Sequence, residues 1–203
     1  RGWSLGTSSN YSLIIRREPL ELLITASGKD KSRLSPQDFV RVDANGYSIG
    51  LDQPKASAEV LLHTVVAKRP GVGAILHTHS VWSTLLSDLY LKEGGVKIKG
   101  YEMLKGLADV MTHEHSEEVP IFDNTQNIPR LAEEVLQKLK RIEYQNLHAF
   151  LVWRHGLYTW GRDLNEAKRH VEILEFLFEC VVRRLMLADS IPSTQRFNAF
   201  SKK

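Results

Sequence analysis

The feature that most constrains this chain is the alternation of short extended runs with helical ones along its whole length. Residues 11–16 and 20–25 read as two strands broken by Arg17-Glu18-Pro19, a hairpin-like connection. Residues 39–43 alternate apolar with polar side chains and meet the turn pair Asn45-Gly46. Residues 57–69 place Val60, Leu61 and Val65 at helical spacing and stop before Pro70-Gly71. A short apolar strand over 72–76 leads into His77-Thr78-His79-Ser80, and Ser80 is a suitable N-cap for a helix over 80–91. Residues 119–122 form another strand. Over 128–142, Leu131, Val135, Leu139 and Ile142 make one apolar helical face. Residues 149–153 and 157–161 are neighbouring strands around Arg154-His155-Gly156, and 164–187 is a long amphipathic helix. Strands at both ends with helices interspersed predict an α/β or α+β single domain built round one mixed sheet.

Composition narrows the function class. A chain of 203 residues can bury one substantial core. The net charge of +3, with basic residues interleaved among acids, argues against a nucleic-acid partner. No apolar run approaches the roughly 20 residues that span a bilayer, so no membrane helix is expected. Cys180 stands alone, makes no internal disulfide and fits a reducing, cytoplasmic setting. Arg1-Gly2-Trp3 reads like the end of a helix, so an N-terminal piece is expected to be missing ahead of a catalytic domain over 1–189. Residues 190–203 read as a polar, loosely ordered tail.

The eight histidines carry the chemistry. His77 and His79 sit two apart at a strand end, so their imidazoles leave on the same side and can grip one metal ion. The pair alone is equally well read as two polar residues closing a strand. His155, in a tight turn beside Gly156, reads equally well as a turn residue; only in combination with the pair does it offer a third imidazole, the number typical of an open catalytic zinc site. His113 and His115 fall in a polar stretch that reads as a solvated loop. His63, His148 and His170 read as packing or surface residues, with His63 four after Glu59 on one helical face. Glu59 and Glu102 are the two carboxylates near these segments, each an exposed surface residue by default. Thr7-Ser8-Ser9-Asn10 and Thr25-Ala26-Ser27-Gly28 offer neutral donors of the kind that hold phosphate oxygens, although such clusters are usually turns. Lys29, Lys31 and Arg33 lie close by.

Taken in order, Gly6-Thr7-Ser8-Ser9-Asn10, Ala26-Ser27-Gly28, His77-Thr78-His79-Ser80, Glu102-Met103-Leu104-Lys105-Gly106, the PIFDNT segment from Pro120 to Thr125, and Arg154-His155-Gly156-Leu157-Tyr158-Thr159-Trp160-Gly161 resemble the class II aldolase superfamily. The EMLKG, NT and HGxYxWG segments resemble more narrowly its methylthioribulose-1-phosphate dehydratases of methionine salvage. The resemblance implies a three-layer α-β-α domain with a central, mostly antiparallel sheet. It also implies a homotetramer with active sites near subunit interfaces. It makes His77, His79 and His155 the ligands of one zinc per subunit and Glu102 the catalytic acid/base. Thr7, Asn10, Ser27, Gly28 and Ser57 become the phosphate-binding residues of a small sugar-phosphate substrate. Glu59 takes a place where sugar-phosphate aldolases have a glutamate near the metal, leaving its role open between base, substrate contact and helper to Glu102. Ser9 stands where relatives often have glycine. Retro-aldol cleavage and 4-epimerisation of a sugar phosphate use the same three histidines and are the nearest rivals. A non-catalytic metal-stabilised scaffold is disfavoured, because structural zinc sites are usually cysteine-rich.

Overall fold

A computed structural model describes residues 1–190. Eight strands form one sheet: β1 (Asn10–Arg16), β2 (Glu21–Thr25), β3 (Phe39–Asp43), β4 (Ala74–Thr78), β5 (Gly95–Lys99), β6 (Ser116–Phe122), β7 (Ala149–Val152) and β8 (Gly156–Gly161). Their order is β3-β2-β1-β4-β8-β7-β6-β5. Among the described residues only β6 and β7 pair in parallel, and a helix makes the crossover that parallel neighbours require. The four α-helices are α1 (Val60–Ala67), α2 (Val81–Leu89), α3 (Ile128–Leu139) and α4 (Leu164–Ser190).

Side-chain alternation along the strands divides the core into two layers. Ile75 of β4 and Phe150 and Tyr158 of β7 and β8 pack with Leu62 and Val66 of α1 and with Leu131 and Val135 of α3. On the opposite face, Val96, Ile98 and Leu151 pack with Leu86 of α2 and with Leu174, Leu177 and Phe178 of α4. Ala74 and Leu76 meet Ala167 and Val171 there. The result is the three-layer α-β-α arrangement expected. Among the described residues no helix is long and apolar enough to cross a membrane.

Some expectations change. The polar residues Ser116, Glu117 and Glu118 belong to β6, because β5 pairs with them from Lys99↔Ser116 to Gly95↔Pro120, while His113 and His115 stay in the loop ahead of it. Glu117 is thereby drawn into the sheet and is 2% exposed. Helix α1 begins only at Val60, after Glu59 at its N-cap position. Helix α3 ends at Leu139, and Ile142 lies exposed in a 3-10 turn (Ile142–Tyr144) instead of extending the apolar face. Of the tail expected over 190–203, Ser190 ends α4 and the rest lies outside the described residues.

Strand polarity fixes which loops can meet. One edge of the sheet carries the C-terminal ends of β2, β4, β6 and β7 with the N-terminal ends of β1 and β8. The C-terminal end of β5 lies at the other edge, four strand positions from β4, or about 19 Å at roughly 4.8 Å per strand.

Candidate metal centre

His77 is the penultimate residue of β4 and is completely buried. Its Nδ1 donates to the Leu157 carbonyl at 2.9 Å, which fixes the tautomer and leaves the Nε2 lone pair free. Tyr158 stacks on the ring at 3.9 Å between centroids and 14° between planes. His79 follows on the same side, with its Nε2 2.7 Å from His77 Nε2. His155 reaches the pair from the β7–β8 turn, where Arg154 takes a φ of 48°. The ring centroids form a near-equilateral triangle of 4.6, 5.0 and 4.7 Å. One nitrogen from each ring lies within 4.8 Å of the others.

The turn can approach β4 this closely because residue 156 is glycine. A Cβ there would stand 2.2 Å from the Thr78 carbonyl oxygen and 3.1 Å from His77 Cε1. Burial, then the neighbouring His79 and His155, hold His77 well below its usual range. Burial, His155 and Lys31 lower His79 to about 4. Both rings are therefore neutral near pH 7 and offer lone pairs, as a divalent cation requires.

Glu59 faces the triangle. Its Oε2 lies 3.4 Å from His77 Nε2 and its Oε1 3.4 Å from His155 Nε2. The carboxylate is held by Asn10, whose Nδ2 donates to Oε2 at 2.7 Å. The Asn10 oxygen in turn accepts from His63 Nε2, and His63 Nδ1 accepts from the Ser12 hydroxyl at 2.7 Å. Burial lowers His63 to about 3, which keeps it neutral and sets this direction of donation. Tyr158 is held well above 10 by burial and then by Glu59, so its phenol keeps its proton.

The centre opens into a cavity of about 350 Å³. Thr7, Asn10, Ser27, Gly28, Ser57 and Glu59 line it, so the structure brings together all five residues expected at a phosphate and one of the two carboxylates. The loops that carry them are tied by a hydrogen bond from Ser27 N–H to the Lys55 carbonyl at 2.9 Å. Asn10 differs from the other four, because both ends of its amide are engaged by Glu59 and His63. Ser9 adopts a φ of 69°, the left-handed region that glycine enters freely. Asn124 and Thr125, part of a motif noted in the sequence but given no task, also line the cavity, as does Lys31.

Glu102 is not brought to this cavity. It starts a 3-10 turn (Glu102–Gly106) beyond the far end of β5, with its side chain 71% exposed and paired with Lys105 Nζ at 2.6 Å. That hydrogen bond and the Lys105 charge lower its carboxyl below the ordinary range. The sequence showed the residue and not the sheet order that separates it from the histidines. The Asn10–His63 support of Glu59 was missed because its partners are 49 and 53 residues apart in the chain. Only the shared face of Glu59 and His63 hinted at it.

Comparisons with known proteins identify the family. Residues 1–182 match the family described as "Class II Aldolase and Adducin N-terminal domain". A methylthioribulose-1-phosphate dehydratase of Stenotrophomonas maltophilia is 47% identical over 180 residues, 88% of this chain and 82% of that protein. One of Pseudomonas aeruginosa is 46% identical over 189 residues, 93% of this chain and 89% of that protein. Among solved structures, L-fuculose-1-phosphate aldolase of Thermus thermophilus superposes with a TM-score of 0.70 at 24% identity. That match covers 92% of this chain and 88% of the other, and it shows the shared fold.

Proposed function

This chain belongs to the class II aldolase family, and from that premise we propose that it dehydrates 5-methylthioribulose 1-phosphate to 5-methylthio-2,3-dioxopentyl phosphate, a hydro-lyase step of methionine salvage. The observation that carries the reading is the convergence of three imidazoles beside one carboxylate, in a cavity walled by hydroxyls and backbone amides. The dehydratase relatives choose the substrate.

His77, His79 and His155 suit one zinc per subunit: three nitrogen donors, with His77 oriented by a backbone carbonyl. When bound, the ion supplies Lewis-acid polarisation of the substrate's ketone oxygen. Thr7, Ser27, Gly28 and Ser57 hold the phosphate and Lys31 adds positive charge, so the remote end of the substrate orients the reacting carbons. Asn10 is assigned to aiming Glu59. Glu59 takes the proton from C3. Glu102 gives its proton to the departing C4 hydroxyl, which leaves as water, and the enol then tautomerises to the diketone.

Glu102 reaches that hydroxyl from a neighbouring protomer of a homotetramer with active sites at subunit interfaces. The far-edge location of Glu102 in its own chain supports this reading. Docking against a second subunit desolvates the carboxyl and raises its pKa toward the working pH of an acid. The reading sets the reaction in the cytoplasm, on a small phosphorylated substrate that does not cross membranes freely, without a membrane or nucleic-acid partner.

The test is product identity. Incubation with methylthioribulose phosphate is expected to give the diketone, while fuculose, rhamnulose and ribulose phosphates are left unchanged. Cleavage to a triose-type fragment, or epimerisation of ribulose phosphate, would replace this reading with an aldolase or an epimerase.

A further inference from the structure

A general acid presented across an interface must be held still, and Glu102 is exposed on a short turn. Three fastenings hold its segment. Leu104 is fully buried. Gly106 presses on α4, where a Cβ would stand 2.5 Å from Ile173 Cδ1. Ala108 is gripped on both sides of its backbone: its N–H donates to His170 Nε2 at 3.0 Å and its carbonyl accepts from His148 Nε2 at 2.8 Å.

The grip on Ala108 is chemically specific. His148 Nδ1 lies 3.1 and 3.0 Å from the two oxygens of Glu117. Its two nitrogens thus face a carboxylate and a carbonyl, which only accept, so both must carry hydrogen and the ring is an imidazolium. Glu117 also receives His115 Nε2 at 2.9 Å. Burial opposes charge on each partner, but the mutual hydrogen bonds and opposite charges outweigh it. His148 therefore stands above its ordinary range and Glu117 below. His170 has the complementary state: Nδ1 donates to the Trp160 carbonyl at 2.7 Å, and Nε2 accepts. Burial lowers it, which keeps the ring neutral.

A buried ion pair is an inefficient way to satisfy one loop peptide. Ala108, His148 and His170 line an open cavity of about 760 Å³, where water could serve the same backbone atoms. What the pair adds over water is a fixed register. We infer that Glu117, His148 and His170 are positioning residues: they clamp Ala108 and so set where Glu102 is presented to the neighbouring protomer's site. The inference rests on the assignment of Glu102 as the acid acting across the interface.

The groups facing His148 are Glu117 and His115, Asp109 on the clamped loop, and His170 on α4. Loss of the His148 proton as pH rises leaves one ring hydrogen for two acceptors, so the clamp slackens on the alkaline side.

The experiment measures kcat, KM and melting temperature for intact Glu117→Gln, His170→Gln and His170→Phe enzymes with methylthioribulose phosphate. Glu117→Gln is expected to lower kcat by roughly tenfold or more with KM nearly unchanged, and its alkaline decline should begin at lower pH. His170→Gln, which can supply both a donor and an acceptor, should retain more kcat than His170→Phe. In a Glu102→Gln background, Glu117→Gln should cost nothing further in kcat. Folded variants with native kcat and native pH profile would overturn the clamp, as would a full additional loss in the Glu102→Gln background. If Glu117→Gln does not fold, the two His170 variants decide, and equal activities in them overturn the proposal. A near-native Glu102→Gln enzyme would overturn the assignment of Glu102 itself, and that result is read without any clamp variant.

Discussion

Gly156→Ala probes the contact on which the histidine triangle depends. The added methyl would stand 2.2 Å from the Thr78 carbonyl oxygen. Relief to about 3 Å, still a tight contact, demands that the β7–β8 turn and the end of β4 part by roughly 0.8 Å. Overpacking of this kind costs about 1–3 kcal/mol. At about 2–4 °C per kcal/mol for a domain of this size, the melting temperature should fall by roughly 2–12 °C. The displacement bears on the site as well, because His77 Cε1 is 3.1 Å from the same methyl and His155 is the adjacent residue. A shift approaching 1 Å at reacting groups can cost about a hundredfold in rate. Calorimetric melting, zinc affinity by chelator competition and turnover should therefore all decline together. Native zinc affinity and native melting in Gly156→Ala would refute the argument that this glycine sets the geometry of the site.

Three further outcomes follow from other contacts. Asn10→Ala removes the 2.7 Å donor that holds Glu59; a charge-assisted bond contributes about 1.5–3 kcal/mol, so kcat should fall by up to roughly 10- to 150-fold in steady-state assays, and an unchanged kcat would remove Asn10 from the mechanism. Mixed oligomers refolded from Glu102→Gln and His77→Ala chains, each strongly impaired alone, should exceed the activity of either parent, and no gain in verified mixed oligomers would place Glu102 outside the neighbouring site. Glu175, 1% exposed on α4, is raised to about 7 by burial, with the nearby Ser80 hydroxyl offsetting part of the rise. Its folded pKa exceeds the unfolded one, so stability is lost as pH rises from about 4.5 to 7, by about 3 kcal/mol. Melting curves across this range should flatten in Glu175→Gln, and parallel curves for the two proteins would contradict the assignment.

The parts of the site that were legible in the sequence are those fixed by local periodicity. Strand alternation puts His77 and His79 on one side, Ser80 caps α2 by accepting from Ser83 N–H, and the glycine after His155 signals a close approach. Long-range pairing was not legible. Glu117 sits in a stretch too polar to read as a strand until β5 pairs with it. His63, His148 and His170 read as ordinary packing residues, because the groups that give them tasks lie 31 to 62 residues away. The displacement of Glu102 from the histidines is a property of strand order, and no short segment encodes it.

The most direct test of the central claim is turnover of methylthioribulose 1-phosphate by the intact enzyme before metal removal, after complete removal by chelation, and after zinc is restored. Diketone formation should disappear on removal and return with close to one zinc per subunit. Activity that survives complete metal removal would contradict the account.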